Sequence, residues 1–533
     1  MNVNLAAKVE PYRPVYNWFG YDEGNYTTTA HGQALLHELH ALTPLPVYIR
    51  AHHLLTSGDG TPELKWSSTG VYREDAQGNP VYNFTILDGL FDGYKAAGVR
   101  PMVELGFMPE DLAAKLPTRH EPYQGLFPKS TVSGASNNPP KDYAKWRELV
   151  RVVVAHLVQR YGAETVRTWP IEVWNEPDID YWHATPEDYW KLYDFAVDGV
   201  RAALPNAMVG GPATTSPRGE KGARFLQDFL THADSGKSAA TGGAVPVDFI
   251  SFHAKGQPTI AGGEVTMGLR QELTDADRGF AIITQHPKLR RLPIILSEAD
   301  PEGCAACSSK MNPANNYRNG TLYPAYTAAA YKGLLDLARK HDVNLISMLS
   351  WSFEFEGRDY FEGFRDLSTN GVDKPILDLF RMLGLMQGDR VSVSSSGAVP
   401  LDALLADGVP GQDVDALATL QPHGASVLLW NYADQAASRQ VAEVSTTITG
   451  LPSNLQRALV QQYRIDANHS NAYTLWQAMG SPQQPTPAQL ETLKARAGLE
   501  LNGSPVWAEA SEGRIHLEAN LPPESIVLFH LTW

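Results

Sequence analysis

The chain has 533 residues, 43% of them hydrophobic and 19% charged, with a net charge of −15. That length calls for two domains, one of them large, and the composition is that of a globular protein with ample apolar material for a core. The acidic balance argues against nucleic acid and anionic membrane surfaces, which need basic patches, and is compatible with a neutral substrate.

No run approaches the roughly eighteen apolar residues of a membrane helix. The opening MNVNLAAKVEPYRP has no basic stretch followed by an apolar one, so no signal peptide is expected and the reading is cytoplasmic or periplasmic. From about residue 14 to 387 a strand–loop–helix pattern repeats. Apolar strand candidates fall at 15–20, 46–50, 100–105, 168–174, 207–211, 247–253, 293–297 and 344–351. Helical patterns at 85–97 and 142–161 stop at Gly98 and Gly162, and others follow at 186–204, 223–232, 269–285 and 323–341. Strands alternating with helices predict an α/β fold with a parallel sheet, and eight such units predict a closed (β/α)8 TIM barrel. No GxGxxG or Walker loop follows the early strands, which counts against nucleotide binding.

Long segments follow the third strand (106 to about 140) and the seventh (299 to about 322). Loops of that length are usually functional, and at the carboxyl end of a barrel they wall a groove into a pocket. The only cysteines, Cys304 and Cys307, are spaced Cys-Ala-Ala-Cys. They lack the second pair of a zinc site and the context of a redox motif. A local disulfide and two free thiols bracing the loop both stay open.

After about 388 the texture changes to short, alternating, β-branched runs such as ASVLLWNYA and SIVLFHLTW, separated by Gly, Pro and Asn. Residues 388–533 therefore read as a C-terminal antiparallel β-sandwich beside the 14–387 barrel, with 1–13 as a further strand for it. Its expected job is to cover one flank of the barrel, in preference to binding carbohydrate independently. Residues 473–499 read as helical decoration.

The fourth strand ends in chemistry. In TWPIEVWNEP, Trp169, Ile171 and Val173 alternate with Thr168, Pro170 and Glu172, and the run ends at Asn175-Glu176-Pro177. The proline forbids a continuing ladder, so an amide and a carboxyl stand where a barrel keeps its catalytic groups. A second acid, Glu298, follows the apolar run 294–297 at the end of strand seven. Burying a carboxylate is costly unless it is paired or neutralised, so both acids have a purpose. Two carboxyls facing across a barrel mouth suit glycoside cleavage.

WNEP after strand four with LSE after strand seven resembles the clan of barrel-fold retaining glycosidases. Within it the chain is similar to glycoside hydrolase family 39, the β-xylosidase and α-L-iduronidase family. The supporting stretches run through the barrel in order: YIRAHH, RPMVELGFMP, WPIEVWNEPD, VGGPAT, VDFISFHAKG, IILSEAD, LSWSFEF and DKPILDLFRMLG. The resemblance implies that Glu176 is the general acid/base and Glu298 the nucleophile, about 5–5.5 Å apart in a retaining mechanism. It implies that Asn175 bonds the sugar 2-hydroxyl and that His52 meets a hydroxyl, with His53 as an alternative. His253 is read as a sugar contact, Trp351 as a floor for the ring, and Phe107 as a pocket lining. Glu356, with Glu354 as an alternative, matches an acid that contacts sugar hydroxyls.

One residue departs from the pattern. Lys255 stands where a tyrosine that helps orient the nucleophile is common. Lys255 is also the nearby cation that an anionic sugar would need. No cofactor or metal is implied. The implied activity is an exo-acting β-1,4-xylosidase on small oligosaccharides. Alternatives are an α-L-iduronidase or α-L-arabinosidase with the same acids, and a non-catalytic carbohydrate-binding protein. Monomer and homotetramer both stay open.

Overall fold

The computed structural model describes residues 1–62, 66–115 and 134–533. Eight parallel strands form the barrel: β1 (Trp18–Tyr21), β2 (Tyr48–Ala51), β3 (Arg100–Leu105), β4 (Ile171–Val173), β5 (Val209–Thr214), β6 (Phe249–Lys255), β7 (Pro293–Asp300) and an interrupted β8 (Asn344–Met348 and Ser350–Trp351). Each pairs with its chain neighbour. The two pieces of β8 close the ring, the first on β7 and the second on β1 through Ser350↔Phe19 and Trp351↔Gly20.

The outer helices follow the strands in turn: Ala30–Ala41, Thr85–Ala97, Tyr143–Tyr161, Pro186–Ala203, Glu220–Ser235, Leu269–Thr284, Leu322–Lys340 and Pro375–Leu385. Caps explain several boundaries. Asp142 accepts from the amides of Ala144 and Lys145, and Thr185 with Asp188 forms a capping box. Gly98, at φ 79°, ends its helix in the left-handed region that a side chain would disfavour. Ala30–Ala41 is not evident from the sequence pattern, because Gly32 and three histidines dilute its apolar positions Leu35, Leu36 and Leu39.

Strand ends differ from the sequence reading where function sits. Thr168 and Trp169 fold back onto Thr165 and Val166, and Pro170 has no N–H to donate, so β4 shrinks to three residues. β6 and β7 run past residues 253 and 297 to Lys255 and Asp300. Between Leu296 and Glu298 the β6–β7 register shifts, which sets Glu298 opposite His253 and Asp300 opposite Lys255.

The C-terminal sheet holds ten strands, and one of them is Asn2–Pro11. That strand pairs antiparallel with Asp389–Ser394 and parallel with Ala442–Thr449, so the sandwich expected to be antiparallel contains one parallel ladder. Gly424–Tyr432 is buried on both faces. Val427 and Leu429 join the sandwich core, whereas Leu428, Trp430 and Tyr432 join the barrel's apolar cluster. The helices Ala472–Ala478 and Pro487–Arg496 bring Trp476 and Leu493 against Phe361 and Val372 of the loop after β8. Among the described residues no helix is long and apolar enough to cross a membrane.

Candidate active site

Below the barrel mouth lies Arg50 of β2, fully buried. Its Nε donates to Glu172 of β4 at 2.6 Å and its Nη2 to Asn175 at 2.9 Å. Nη2 also lies 2.9 Å from Glu104 of β3, and Nη1 lies 3.3 Å from Glu298. One guanidinium therefore offsets three acids that would each be costly to bury alone. Burial pushes the Glu104 carboxyl up to about 8, against the pull of Arg50. Glu104 in turn meets His52 Nδ1 at 2.5 Å.

Above this layer stand the two acids of the mouth. Trp174 and Glu176 both adopt left-handed backbone, φ 72° and φ 44°, an arrangement that side-chain-bearing residues hold only when their surroundings enforce it. The Trp174 indole donates to the carbonyl of Tyr181, and the Glu176 amide donates to that of Ala213. These bonds turn the Glu176 side chain into the mouth. Its Oε1 lies 2.8 Å from His253 Nδ1, and the other ring nitrogen of His253 is 3.8 Å from Glu298 Oε1. Carboxyl oxygens of Glu176 and Glu298 come within 4.8 Å of each other.

Their proton affinities diverge. Burial raises the Glu176 carboxyl above its ordinary range, and His253 only partly offsets this. Glu298 faces the same burial, but His253, Lys255, Arg50 and His52 outweigh it and hold the carboxyl well below that range. Lys255 Nζ is 2.7 Å from Glu298 Oε2 and 2.5 Å from Asp300 Oδ2.

Two cavities meet at Glu176. A large one of about 910 Å³ is lined by His53, Trp66, Tyr181, Lys255, Cys304 and Met311 among others. A small one of about 40 Å³ is lined by Asp22, His52, Asn175, Glu298, Ala305 and Trp351, together with Glu176, Tyr181 and Gly303.

Residues 48–507 match the model of glycosyl hydrolases family 39. The chain belongs to glycosyl hydrolase family 39. A β-xylosidase of Geobacillus stearothermophilus is 27% identical over 502 residues, covering 91% of this chain and 86% of the relative. An α-L-iduronidase of Mus musculus is 25% identical over 481 residues, covering 85% and 68%. The crystal structure of a monomeric β-xylosidase from Caulobacter crescentus superposes with a TM-score of 0.76 at 22% identity, covering 100% of this chain and 99% of that one, which shows a shared fold.

Within this family 39 glycosidase, most residues singled out from the sequence converge. Glu176, Glu298, Asn175, His52 and Trp351 line the small cavity. The Trp351 indole fits because Gly20 opposite it has no side chain; a Cβ there would come within 2.4 Å of the ring. His253 is fully buried and engages the two acids, lining neither cavity. The departure at Lys255 is an ion pair with the acid on β7. Phe107 lies behind the wall, stacked on Tyr181 with ring centroids 5.5 Å apart. Glu356 lies 3.7 Å from His31 and beside Glu354, and neither acid lines either of these two cavities.

The seventh-strand loop walls the pocket, as its length suggests, with Gly303, Cys304, Cys307 and Asn315 facing the large cavity. Cys304 and Cys307 are joined in a disulfide. Of the third-strand loop, Ser136 and Asn137 line the cavity, and 116–133 fall outside the described residues. Among the described residues two groups each bring three potential metal-ligand atoms within 4.8 Å: the Glu176–His253–Glu298 set itself, and His31 with Glu354 and Glu356. Arg50, Glu104 and Glu172 are the members that sequence reasoning missed. Each is a charge inside an apolar strand run, the same signal that marks Glu298.

Proposed function

We propose that the protein is an exo-acting, retaining β-1,4-xylosidase that releases xylose from the non-reducing ends of short xylo-oligosaccharides. The supporting observation is the opposed pair: Glu176 biased toward its protonated form and Glu298 toward its ionised form, with oxygens within 4.8 Å. That spacing is shorter than the roughly 6.5–9.5 Å needed to admit an inverting water. Glu176 gives its proton to the leaving oxygen while Glu298 attacks the anomeric carbon, breaking the glycosidic bond and forming an ester. The ester removes the charge of Glu298, so Glu176 holds a proton less tightly and serves as base toward the incoming water.

Asn175 spends its Oδ1 on Arg50, which leaves its amide N–H groups for the sugar 2-hydroxyl. In this reading the glycone occupies the small cavity over Trp351 and the aglycone occupies the large one. The β-xylosidase relative supports xylose as the sugar.

A panel of nitrophenyl glycosides followed by product analysis on xylotetraose tests the substrate: xyloside turnover with stepwise xylose release is expected. Glu176→Ala should slow substrates with poor leaving groups far more than activated aryl xylosides, and an equal loss on both refutes the acid role. Glu298→Ala should lose several orders of magnitude. A 2-fluoro-xyloside should label Glu298 in the wild type.

One observation favours a second reading, an α-L-iduronidase: Lys255 reaches the large cavity, where a sugar carboxylate could meet it. Glu298 and Asp300 already offset its charge, which favours the neutral sugar. An α-L-arabinosidase shares the pair and falls to the same panel. A non-catalytic sugar binder is the weakest fit, since both carboxyls are present.

A further inference from the structure

Among the described residues Lys255 is the cation nearest the proposed nucleophile, and its setting is built around that contact. It is 7% exposed, at the last position of β6, directly opposite Asp300 in the β6–β7 ladder. Its backbone N–H donates to Asp275 at 3.0 Å, and its carbonyl accepts from Arg218. Its ammonium bridges Glu298 and Asp300. Asp300 is itself fixed, accepting from the Trp351 amide at 2.9 Å and lying 3.5 Å from Arg365. Arg365 in turn grips the Trp351 carbonyl at 3.1 Å and the Glu302 carboxyl at 2.8 Å. The ammonium is therefore aimed from β6 and braced from β7 and β8.

We infer that Lys255 is the positioning residue of the nucleophile: it holds the Glu298 carboxylate in the free enzyme and receives it back as leaving group in the second step. The inference rests on the double-displacement reading above. In that second step water attacks the anomeric carbon and its proton passes to Glu176. The bond from that carbon to Glu298 breaks, and its electron pair returns to the carboxylate beside Lys255. The attraction between ammonium and carboxylate is strongest when Glu298 is fully anionic and weakest in the ester. Lys255 therefore restrains attack slightly and favours release, speeding the breakdown of the glycosyl-enzyme relative to its formation.

Glu298 is surrounded by other charges as well. Arg50 and His52 face it from β2, Glu104 from β3, Glu176 from β4, His253 from β6 and Arg365 from the loop after β8. Asp22, at the end of β1, meets His52 at 3.5 Å. Among the described residues Lys255 is the cation in closest contact, at 2.7 Å. Burial works against its charge, and Asp300 and Glu298 outweigh burial, so it stays protonated through the working range.

Lys255→Gln and Lys255→Arg, each checked by melting temperature, test the inference on an activated aryl xyloside. In Lys255→Gln the acid limb of kcat/KM should rise by about 1–3 pH units, the effect of losing a contact cation. Its kcat and KM should fall together as the glycosyl-enzyme accumulates, leaving kcat/KM nearer wild type. Lys255→Arg keeps the charge and should restore the limb. A folded Lys255→Gln with an unmoved limb, or with kcat and kcat/KM reduced equally, overturns the proposal and leaves Lys255 as packing. Should Lys255→Gln not fold, Asp300→Asn leaves the ammonium to Glu298 alone and should lower the acid limb; an unmoved limb there also overturns it. Failure of the underlying reading looks different: wild-type enzyme would then take the 2-fluoro-xyloside label elsewhere than Glu298.

Discussion

At the barrel mouth Arg50, Glu104, Glu172, Lys255, Glu298 and Asp300 are buried side by side. The sandwich strand Arg514–Leu521 instead buries Ile515, Leu517, Ala519 and Leu521 and turns Arg514, His516, Glu518 and Asn520 to solvent. Buried charges interact strongly because little water screens them, which is how two glutamates a few ångströms apart come to hold protons so differently. The same lack of water makes every unmatched member expensive. That strand draws its stability from apolar area, which adds up residue by residue and is indifferent to chemistry. The charged cluster of the mouth and the apolar face of the sandwich can each be tested by substitution.

The largest effect is expected at the hub. Arg50→Met leaves Glu104 and Glu172 without their cation, and should cost about 3–5 kcal/mol of stability along with most activity. Denaturant unfolding and xyloside kinetics read both, and a stable, active variant breaks the comparison. On the other side, Leu5→Ala opens a cavity under the N-terminal strand and should cost about 2–5 kcal/mol while kcat/KM stays unchanged. A parallel loss of activity would mean that the sandwich shapes the pocket.

A subtler test uses Glu354, whose carboxyl burial and then Glu356 push up to about 9. From about pH 5 to 9 the folded protein keeps a proton there that the unfolded chain has lost, so this group lowers stability as pH rises. Melting temperatures across that range should fall less steeply in Glu354→Gln than in wild type. The smallest effect belongs to Trp507, 53% exposed under Arg457, whose guanidinium carbon lies 4.4 Å from the ring. Trp507→Ala should cost under about 1 kcal/mol and leave binding to insoluble xylan unchanged, and weakened binding would give the sandwich a sugar-holding role.

Much of this site is legible in the chain. Glu176 and Glu298 announce themselves as acids at the ends of apolar runs, and Asn175 is adjacent to one of them. Arg50, Glu104 and Glu172 carry a related signal, yet a charge inside a strand does not say which strand it will meet. Arg50 finds Glu172 and Glu298 at sequence separations of 122 and 248. Glu356 shows the converse: a plausible acid at a plausible spacing, carried by the loop after β8 toward His31. The N-terminal strand is expected because the chain reaches the barrel only near residue 14, while its parallel pairing with Ala442–Thr449 depends on what lies beside it in space.

By itself the sequence determined eight strands, six of the helices between them with the stops at Gly98 and Gly162, and the two acids, because period, breakers and strand-end residues act within a few positions of one another. Closure of the ring through an interrupted β8 was decided only by tertiary structure. So were the register shift that sets Glu298 opposite His253 and the ion pair that ties Lys255 to the nucleophile. Each depends on contacts between segments far apart in the chain, where a one-residue change in register redirects every side chain beyond it.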